Sequence, residues 1–251
     1  MIVDPTLTPP ATPSLSSADS LPDYSTVLHS PNPPRYTRGN TRPLQPITYT
    51  FSPWAASSST AGEGSTLLLA PPPPGRSAPQ EPVYRVSTHM SLNPFLPLSY
   101  VTQVHRAGPY DSAVDGELVG QFDISLHQKR AVLTVGDTTT RVGNVLSSID
   151  SSLRHWRWSF HNIILRWDCR THLDDGSPMC ICYTPTSPVS PTSPNRSQDH
   201  QLASFVPPSP EASPPLPPAV LTVFPAGHEE HVFDHIVLSA LVVERWLVRG
   251  M

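Results

Sequence analysis

Three histidines in the C-terminal part of the chain have a spacing that would suit metal coordination. His228, His231 and His235 stand at positions i, i+3 and i+7, so their imidazoles would share one face of a helix that began before His228. Zinc accepts imidazole ligands. The alternative is a polar helix start in which Glu229 and Glu230 complement the helix dipole. The zinc-protease pattern, with two residues between the Glu and the second His, is absent. We therefore expect no metal site here.

Three cysteines form a second set of candidate ligands: Cys169, Cys180 and Cys182. With His172 they would offer zinc ligands across a hairpin, but the single residue between Cys180 and Cys182 falls short of the usual spacing of about two to four. We expect buried free thiols instead. The odd number of cysteines, and an N-terminus without the basic and apolar regions of a secretion signal, predict an intracellular protein of the cytoplasm.

No sequence pattern typical of catalysis is present. The chain has no Gly-x-Ser-x-Gly motif, no glycine-rich phosphate-binding loop and no convincing pair of catalytic carboxylates. Asp174 and Asp175 precede Gly176, and this combination indicates a turn. We therefore expect a protein that is not an enzyme and that uses no cofactor.

A cluster of arginines and tryptophans is the one basic and aromatic region of the chain. Its members are Arg154, Trp156, Arg157, Trp158, Arg166, Trp167 and Arg170. The four arginines could bind the phosphate of an anionic phospholipid while a tryptophan lies at the membrane interface. The alternative is structural: the tryptophans face the core, and the arginines lie on solvated strand faces or pair with Asp168. We favour the structural interpretation.

The charge composition argues against nucleic acid as a partner. The formal net charge is −4, and the 16 basic residues include a single lysine, Lys129. A chain that binds nucleic acid would normally show a basic patch or stripe. We expect no nucleic-acid partner.

The N-terminal third of the chain has the composition of a disordered tail. The sequence contains 33 prolines against 12 glycines, and residues 1–81 are rich in proline, serine and threonine. Such a segment buries too little apolar surface to offset its chain entropy; the Leu67 to Leu69 triplet is an isolated apolar patch in it. The tail contains Pro33-Pro34-Arg35-Tyr36, which matches the Pro-Pro-x-Tyr ligand of WW domains. Pro33, Pro34 and Tyr36 are thus candidate contacts for a WW-domain protein.

Residues 82–251 are predicted to form the folded domain, which is mainly β. Short runs of β-branched and aromatic residues alternate with turn signals. Trp156, Trp158 and Phe160 alternate with polar residues and should share one face. A low-complexity insert at 184–200 should bulge from a hairpin tip, and a proline-rich spacer covers 207–218.

The C-terminal segment of the domain is predicted to be a helix that is surrounded by protein. In the run Ile236 to Val243 apolar groups cover every helical face, and Ser239 is the only hydroxyl. The run is eight residues long, whereas crossing a bilayer requires about twenty. We therefore expect the sheet, rather than lipid, to enclose this helix.

The order of these segments resembles a known group of folds. The residues that carry the resemblance are Val83-Tyr84-Arg85-Val86, Gly120 to Ile124, Trp158-Ser159-Phe160, Leu165-Arg166-Trp167 and Asp234 to Glu244. The chain resembles a family of uncharacterised proteins of basidiomycete fungi that is similar to the tubby C-terminal superfamily, which includes LURP-one-related and phospholipid scramblase domains. The resemblance implies a closed antiparallel β-barrel of about twelve strands around a hydrophobic C-terminal helix. Functions within the superfamily differ, so the resemblance implies none of them for this chain.

Two functional hypotheses follow from the sequence. The first is a non-enzymatic binding or scaffold protein whose tail recruits partners through its proline-rich motifs. The alternative is a peripheral membrane domain that binds phospholipid or phosphoinositide through Arg154, Arg157, Arg166 and Arg170. Binding through arginines should weaken as salt is added, because salt screens exposed charges.

Overall fold

The computed structural model describes residues 42–53, 64–72, 80, 82–92, 95, 97–107, 116–125, 131–150, 152–185, 200–209 and 211–249. Within these residues the strands are β1 Ile47–Pro53, β2 Gly64–Leu69, β3 Pro82–Ser91, β4 Ser99–Arg106, β5 Leu118–Ser125, β6 Ala131–Val135, β7 Thr138–Arg141, β8 Leu146–Ser148, β9 His155–Phe160, β10 Ile163–His172, β11 Pro178–Thr184, β12 His200–Val206 and β13 Val220–Val223. The helices are α1 Val142–Val145 and α2 Glu230–Arg249, and a 3-10 turn, Pro225–His228, precedes α2. The prediction of a mainly β chain with a C-terminal helix is confirmed.

The alternation of apolar and polar residues explains which strand faces are buried. In β9, Trp156, Trp158 and Phe160 are buried, whereas Arg157 between them is exposed. The predicted common face of these three aromatic residues is confirmed. Side chains of successive strand residues point to opposite sides, so one face of the sheet can bury aromatic groups while the other meets water.

All 13 strands form one antiparallel sheet in the order β7-β6-β5-β4-β3-β2-β1-β13-β12-β11-β10-β9-β8. Strands that follow one another in the chain pair with each other, except for β7 and β8, and β1 pairs with β13. The two edges of the sheet are β7 and β8. The predicted closed barrel is therefore not confirmed, because the hydrogen-bonded sheet of the described residues is open between these two strands.

The odd number of strands accounts for this opening. Twelve antiparallel pairings separate β7 from β8, so the two strands point in the same direction. Parallel neighbours need a crossover connection of about a dozen residues or more. Only the four residues of α1 connect β7 to β8. A hydrogen-bonded parallel pair cannot form across so short a connection.

Helix α2 lies within the sheet, as its apolar composition predicts. Every residue from Ile236 to Val243 is buried, with exposed fractions between 0 and 8%. The hydroxyl of Ser239 accepts a hydrogen bond from the Trp167 indole at 3.0 Å and donates to the backbone carbonyl of His235. The one polar side chain in the centre of the helix is thus satisfied.

A glycine in β5 allows the helix to approach the sheet. A Cβ atom at Gly120 would lie 2.9 Å from the backbone oxygen of Thr134 and 3.0 Å from Cδ1 of Leu238. Distances this short are repulsive, so a larger residue would push α2 away from β5. The glycine thereby positions the centre of the helix against the sheet.

The start of the folded domain at residue 82 was predicted wrongly. Strands β1 and β2 lie within the segment 1–81, and both contribute to the core through Phe51 and Leu68, which are 6% and 0% exposed. The Leu67 to Leu69 triplet is therefore part of the sheet and not an isolated patch. All the described residues, from Arg42 onwards, belong to one compact unit. The predicted disorder of residues 1–41 lies outside the described residues.

The connections between strands alternate between two ends of the sheet. We call the end at which α2 begins the upper end; there the Tyr49 hydroxyl and His228 Nε2 lie 3.1 Å apart. The opposite end, at which α2 terminates, is the lower end. The low-complexity insert follows β11 and precedes β12, which are antiparallel neighbours, and Thr184 and His200 belong to the strands themselves. The predicted bulge of the insert lies outside the described residues. The proline-rich spacer connects β12 to β13 at the lower end.

Candidate functional site

A cavity of about 520 Å³ lies at the lower end of the sheet, beside the last turns of α2. Its walls come from β1 to β5, from β12 and from the residues that precede β13. The apolar part of the lining includes four buried side chains: Phe51, Phe122, Phe205 and Leu241. The aromatic residues stand on strands that are far apart in sequence. The leucine, Leu241, belongs to α2, which the sheet surrounds.

Polar groups occupy one part of the same cavity. Thr88 and Thr102 lie opposite each other on β3 and β4, and their hydroxyl oxygens are 3.2 Å apart. Glu244 and Arg245, near the end of α2, also belong to the lining, as do the polar residues Thr50, Ser52, Thr66 and Gln80. The cavity thus combines apolar walls with a few groups that can form hydrogen bonds.

Glu244 is the only carboxyl group in the described lining of the cavity. Burial raises the pKa of this carboxyl above its ordinary value, and the adjacent Arg245 guanidinium lowers it by less. Desolvation favours the neutral form of an acid because the charged form loses its hydration. Glu244 is therefore protonated up to a higher pH than an exposed glutamate and can donate a hydrogen bond into the cavity when it is neutral.

A second cavity of about 240 Å³ adjoins the first. The two share Thr88, Thr102, Phe122 and Arg245 in their linings. The smaller cavity also contacts Tyr100 at the start of β4 and Val248 near the end of α2. The site therefore extends from the core towards the loop between β3 and β4.

A polar network at the upper end fastens the first turns of α2 to the sheet. The Tyr84 hydroxyl donates to Asp234 Oδ1 at 2.7 Å, and Arg106 Nη2 donates to Asp234 Oδ2 at 2.6 Å. Arg106 also forms an ion pair with Glu230. Burial, and then the Asp234 carboxylate, raise the pKa of Tyr84 well above its ordinary value. The network orients the helix, and the polar groups of its members bond to one another.

The predicted cluster of arginines and tryptophans is arranged largely as the structural interpretation predicts. The three tryptophans Trp156, Trp158 and Trp167 are buried. Arg170 pairs with Asp168, its Nε lying 2.8 Å from Oδ1. Arg166 hydrogen bonds to His155 and Arg154 to His172, whereas Arg157 is exposed on β9. Phospholipid binding by Arg154, Arg157, Arg166 and Arg170 stays a prediction.

The start of the helix separates His228 from His231 and His235, the other two histidines considered as metal ligands. Helix α2 begins at Glu230, so His228 precedes it and bonds to Tyr49 and to the carbonyl of Phe224. His235 is buried beside Trp158, whose indole donates to His235 Nδ1 at 3.4 Å. Burial lowers the pKa of both His228 and His235. Within the described ranges, no group of three or more His, Cys, Asp or Glu residues is placed to hold a metal ion.

The three cysteines are buried and free, as predicted. Burial raises the pKa of the Cys169 and Cys182 thiols well above the ordinary value. A thiol that resists ionisation is a poor nucleophile and a poor metal ligand. These residues therefore act as small apolar groups of the core.

Sequence reasoning did not identify the cavity at the lower end. The available signal was weak: threonines stand at inward-facing positions near the lower ends of three strands, as Thr66, Thr88 and Thr102, and Glu244 ends the apolar run of the helix. A polar residue at an inward position indicates an interior that is not filled by apolar side chains. The candidate WW-ligand residues Pro33, Pro34 and Tyr36 lie outside the described residues.

Comparison with protein-family models, curated proteins and solved structures finds no match for this chain. The resemblance to the tubby C-terminal superfamily therefore remains an expectation from the sequence. Among the described helices, none combines the length and the apolar character that crossing a bilayer requires.

Proposed function

We propose that this protein is a non-enzymatic binding protein whose β domain takes a small, largely apolar ligand into the cavity at the lower end. The observation that carries the proposal is the cavity itself, with its aromatic and leucine walls and its few polar groups. Ligand pockets in proteins have volumes of about 300–1,000 Å³ and are lined mainly by apolar side chains with a small number of polar groups. At about 520 Å³, this cavity lies within that range.

The polar groups of the cavity support binding rather than catalysis. Among the described residues, its lining includes no histidine, which is the usual base beside a hydroxyl nucleophile, and no cysteine or lysine. The Thr88 and Thr102 hydroxyls bond to each other. Glu244 supplies one hydrogen-bonding group for a polar part of the ligand.

The proposal includes a tubby-like architecture for the domain. The continuous meander of strands and the enclosed C-terminal helix support it. The open seam between β7 and β8 is the feature that differs from a closed barrel. In this architecture the helix fills the interior from the upper end and leaves the space near its last turns to a ligand.

Titration with the neutral fluorescent probe N-phenylnaphthylamine tests the cavity. Leu241→Trp should weaken probe binding by about tenfold or more, because the indole would occupy space next to Phe122 that the probe needs. The matched control is Leu118→Trp, at an exposed position at the upper end, and it should bind like the wild type. Circular dichroism shows whether both variants are folded. A wild-type protein that does not enhance probe fluorescence would refute the proposal.

Recruitment of a WW-domain protein through Pro33, Pro34 and Tyr36 is the second part of the proposal, supported by the sequence motif. Tyr36→Ala in the full chain should abolish calorimetric binding to a WW domain of the Pro-Pro-x-Tyr class, because the aromatic groove of the domain receives the tyrosine. Tyr24→Ala, which changes the weaker Leu21-Pro22-Asp23-Tyr24 sequence, is the control and should bind normally. Equal affinity of the wild type and the Tyr36→Ala variant would exclude this motif as the ligand.

A further inference from the structure

Exposed apolar side chains are concentrated at the lower end of the domain. Among the described residues, 12 large apolar side chains are exposed, and only Leu44 and Leu118 of these lie at the upper end. The ten at the lower end, which we call the apolar rim, are Met90, Leu92, Phe95, Leu98, Tyr100, Ile149, Leu153, Leu173, Leu216 and Val248. An even distribution would place about half at each end. Single exposed apolar residues are ordinary on a protein surface, so it is the concentration of ten of them at one end that points to an interaction site.

The apolar rim is formed by several separate segments. Its members stand at the end of β3 and the start of β4, in the connections β3–β4, β8–β9, β10–β11 and β12–β13, and in the last turn of α2. The β3–β4 connection contributes the most exposed residues, with Leu92 at 74% and Phe95 at 92%. The rim is therefore a set of tips around one end of the sheet rather than one continuous flat patch.

This arrangement fits a lipid surface better than a protein partner. Separate tips at one end of a molecule can each enter a fluid interface independently, whereas a protein partner must offer complementary shape to all of them together. Aromatic residues such as Phe95 and Tyr100 are typical of the boundary between water and the hydrocarbon region of a membrane. Tyr100 and Val248 also line the smaller cavity, which adjoins the larger one. An apolar ligand could therefore pass between a bilayer and the cavity without crossing water.

We propose that the apolar rim docks on the surface of a phospholipid bilayer. Docking is independent of the proposed cavity ligand, although the cavity opens towards the same end. Insertion of the apolar tips, rather than attraction to anionic lipid, drives the binding. Basic side chains of the lower end, such as Arg154, Arg170 and Arg245, are accompanied by acidic ones; the acidic residues there include Asp150, Asp174, Asp175 and Glu211. Because both signs of charge are present, net electrostatic attraction to a membrane is small.

Flotation of the full chain with neutral phosphatidylcholine vesicles tests the docking. The wild type should float with the vesicles, and raising the salt concentration from about 0.1 to 0.5 M should change the bound fraction less than about twofold, because apolar insertion is not screened. The double variant Leu92→Asp with Phe95→Asp should bind at least about tenfold more weakly, since two inserting groups are lost. The matched control is Leu44→Asp, a 96% exposed position at the upper end, which should bind like the wild type.

Three results would overturn the docking proposal. The first is a folded wild type that does not float with neutral vesicles. The second is a double variant that floats as well as the Leu44→Asp control. The third is flotation that requires anionic lipid and disappears with salt, which would assign the binding to arginines. Probe titration in solution separates the two proposals. The Leu92→Asp with Phe95→Asp variant should still bind N-phenylnaphthylamine. A variant that loses vesicle binding but keeps probe binding would show that the cavity is unaffected by the change in the rim.

Discussion

Leu238→Asp is expected to unfold the domain. Leu238 is fully buried in the centre of α2, where it lies against Gly120 of β5. A carboxylate there has no cationic partner within the apolar run of the helix and loses its hydration. Leaving an uncompensated charge in a core destabilises a protein by about 3–5 kcal/mol, and the total stability of a domain is about 5–15 kcal/mol. The added loss of leucine packing, about 2–5 kcal/mol, brings the sum close to the whole stability.

Val248→Asp on the same helix is the matched control for this prediction. Val248 is 60% exposed near the C-terminus of α2, so a carboxylate there remains hydrated and should change the stability by less than about 0.5 kcal/mol. Circular dichroism and thermal denaturation distinguish the two variants. If Leu238→Asp yields a folded protein with a normal melting temperature, the enclosure of α2 by the sheet is wrong.

Asp234→Ala is expected to destabilise the domain by about 2–4 kcal/mol, since hydrogen bonds to charged groups contribute about 1.5–3 kcal/mol each. Asp234 accepts from both the Tyr84 hydroxyl and the Arg106 guanidinium, and its own side chain is 13% exposed. Without it, the buried Tyr84 hydroxyl loses this acceptor. The network joins α2 to β3 and β4, so the helix start should loosen first.

Glu230→Ala is the matched control, because Glu230 pairs with the same arginine, Arg106. The Glu230 side chain, however, is 55% exposed. Exposed ion pairs contribute about 0–1 kcal/mol, so Glu230→Ala should have little effect. Urea denaturation of the two variants gives the comparison. Equal destabilisation by both substitutions would contradict the prediction that the more buried carboxylate, Asp234, contributes more to the free energy of unfolding.

The sequence was most informative where the apolar pattern of a single helix or strand is compatible with only one kind of surroundings. The run Ile236 to Val243 is apolar on all sides, and enclosure by the sheet is the arrangement that buries all of it. The alternation of Trp156, Trp158 and Phe160 likewise identified the buried face of β9 without knowledge of its neighbours. Such patterns are local and are readable from a single segment.

The features that were missed depend on partners distant in sequence. Strand β1 pairs with β13, where Thr50 lies opposite Val220. Because this partner is distant in sequence, the residues of β1 give little evidence of a strand until the whole sheet is assembled. The cavity has the same origin, because Phe51, Phe122 and Leu241 meet there from β1, β5 and α2. Its volume is the space that these side chains leave unfilled, which no single segment encodes.

Charge pairing between near neighbours accounts for Arg170 of the arginine cluster. Arg170 and Asp168 are two residues apart, and their side chains bond to each other instead of leaving a free cation. Asp150 Oδ2, in the connection between β8 and β9, also lies 3.9 Å from Arg170 Nη1. Exposed apolar residues at the lower end were a weaker pattern in the sequence, because single apolar residues in loops are common and gain meaning only when several reach one end.

Methyl NMR spectra recorded during titration with N-phenylnaphthylamine show whether an apolar ligand occupies the cavity at the lower end. Leu241 and Val86 line the cavity, whereas Val232 and Leu202 lie at the upper end beside a separate depression. If the ligand binds in the cavity, the Leu241 and Val86 methyl signals should shift and saturate, and the Val232 and Leu202 signals should stay unchanged. Shifts confined to Val232 and Leu202, or no shifts at probe saturation, would contradict it.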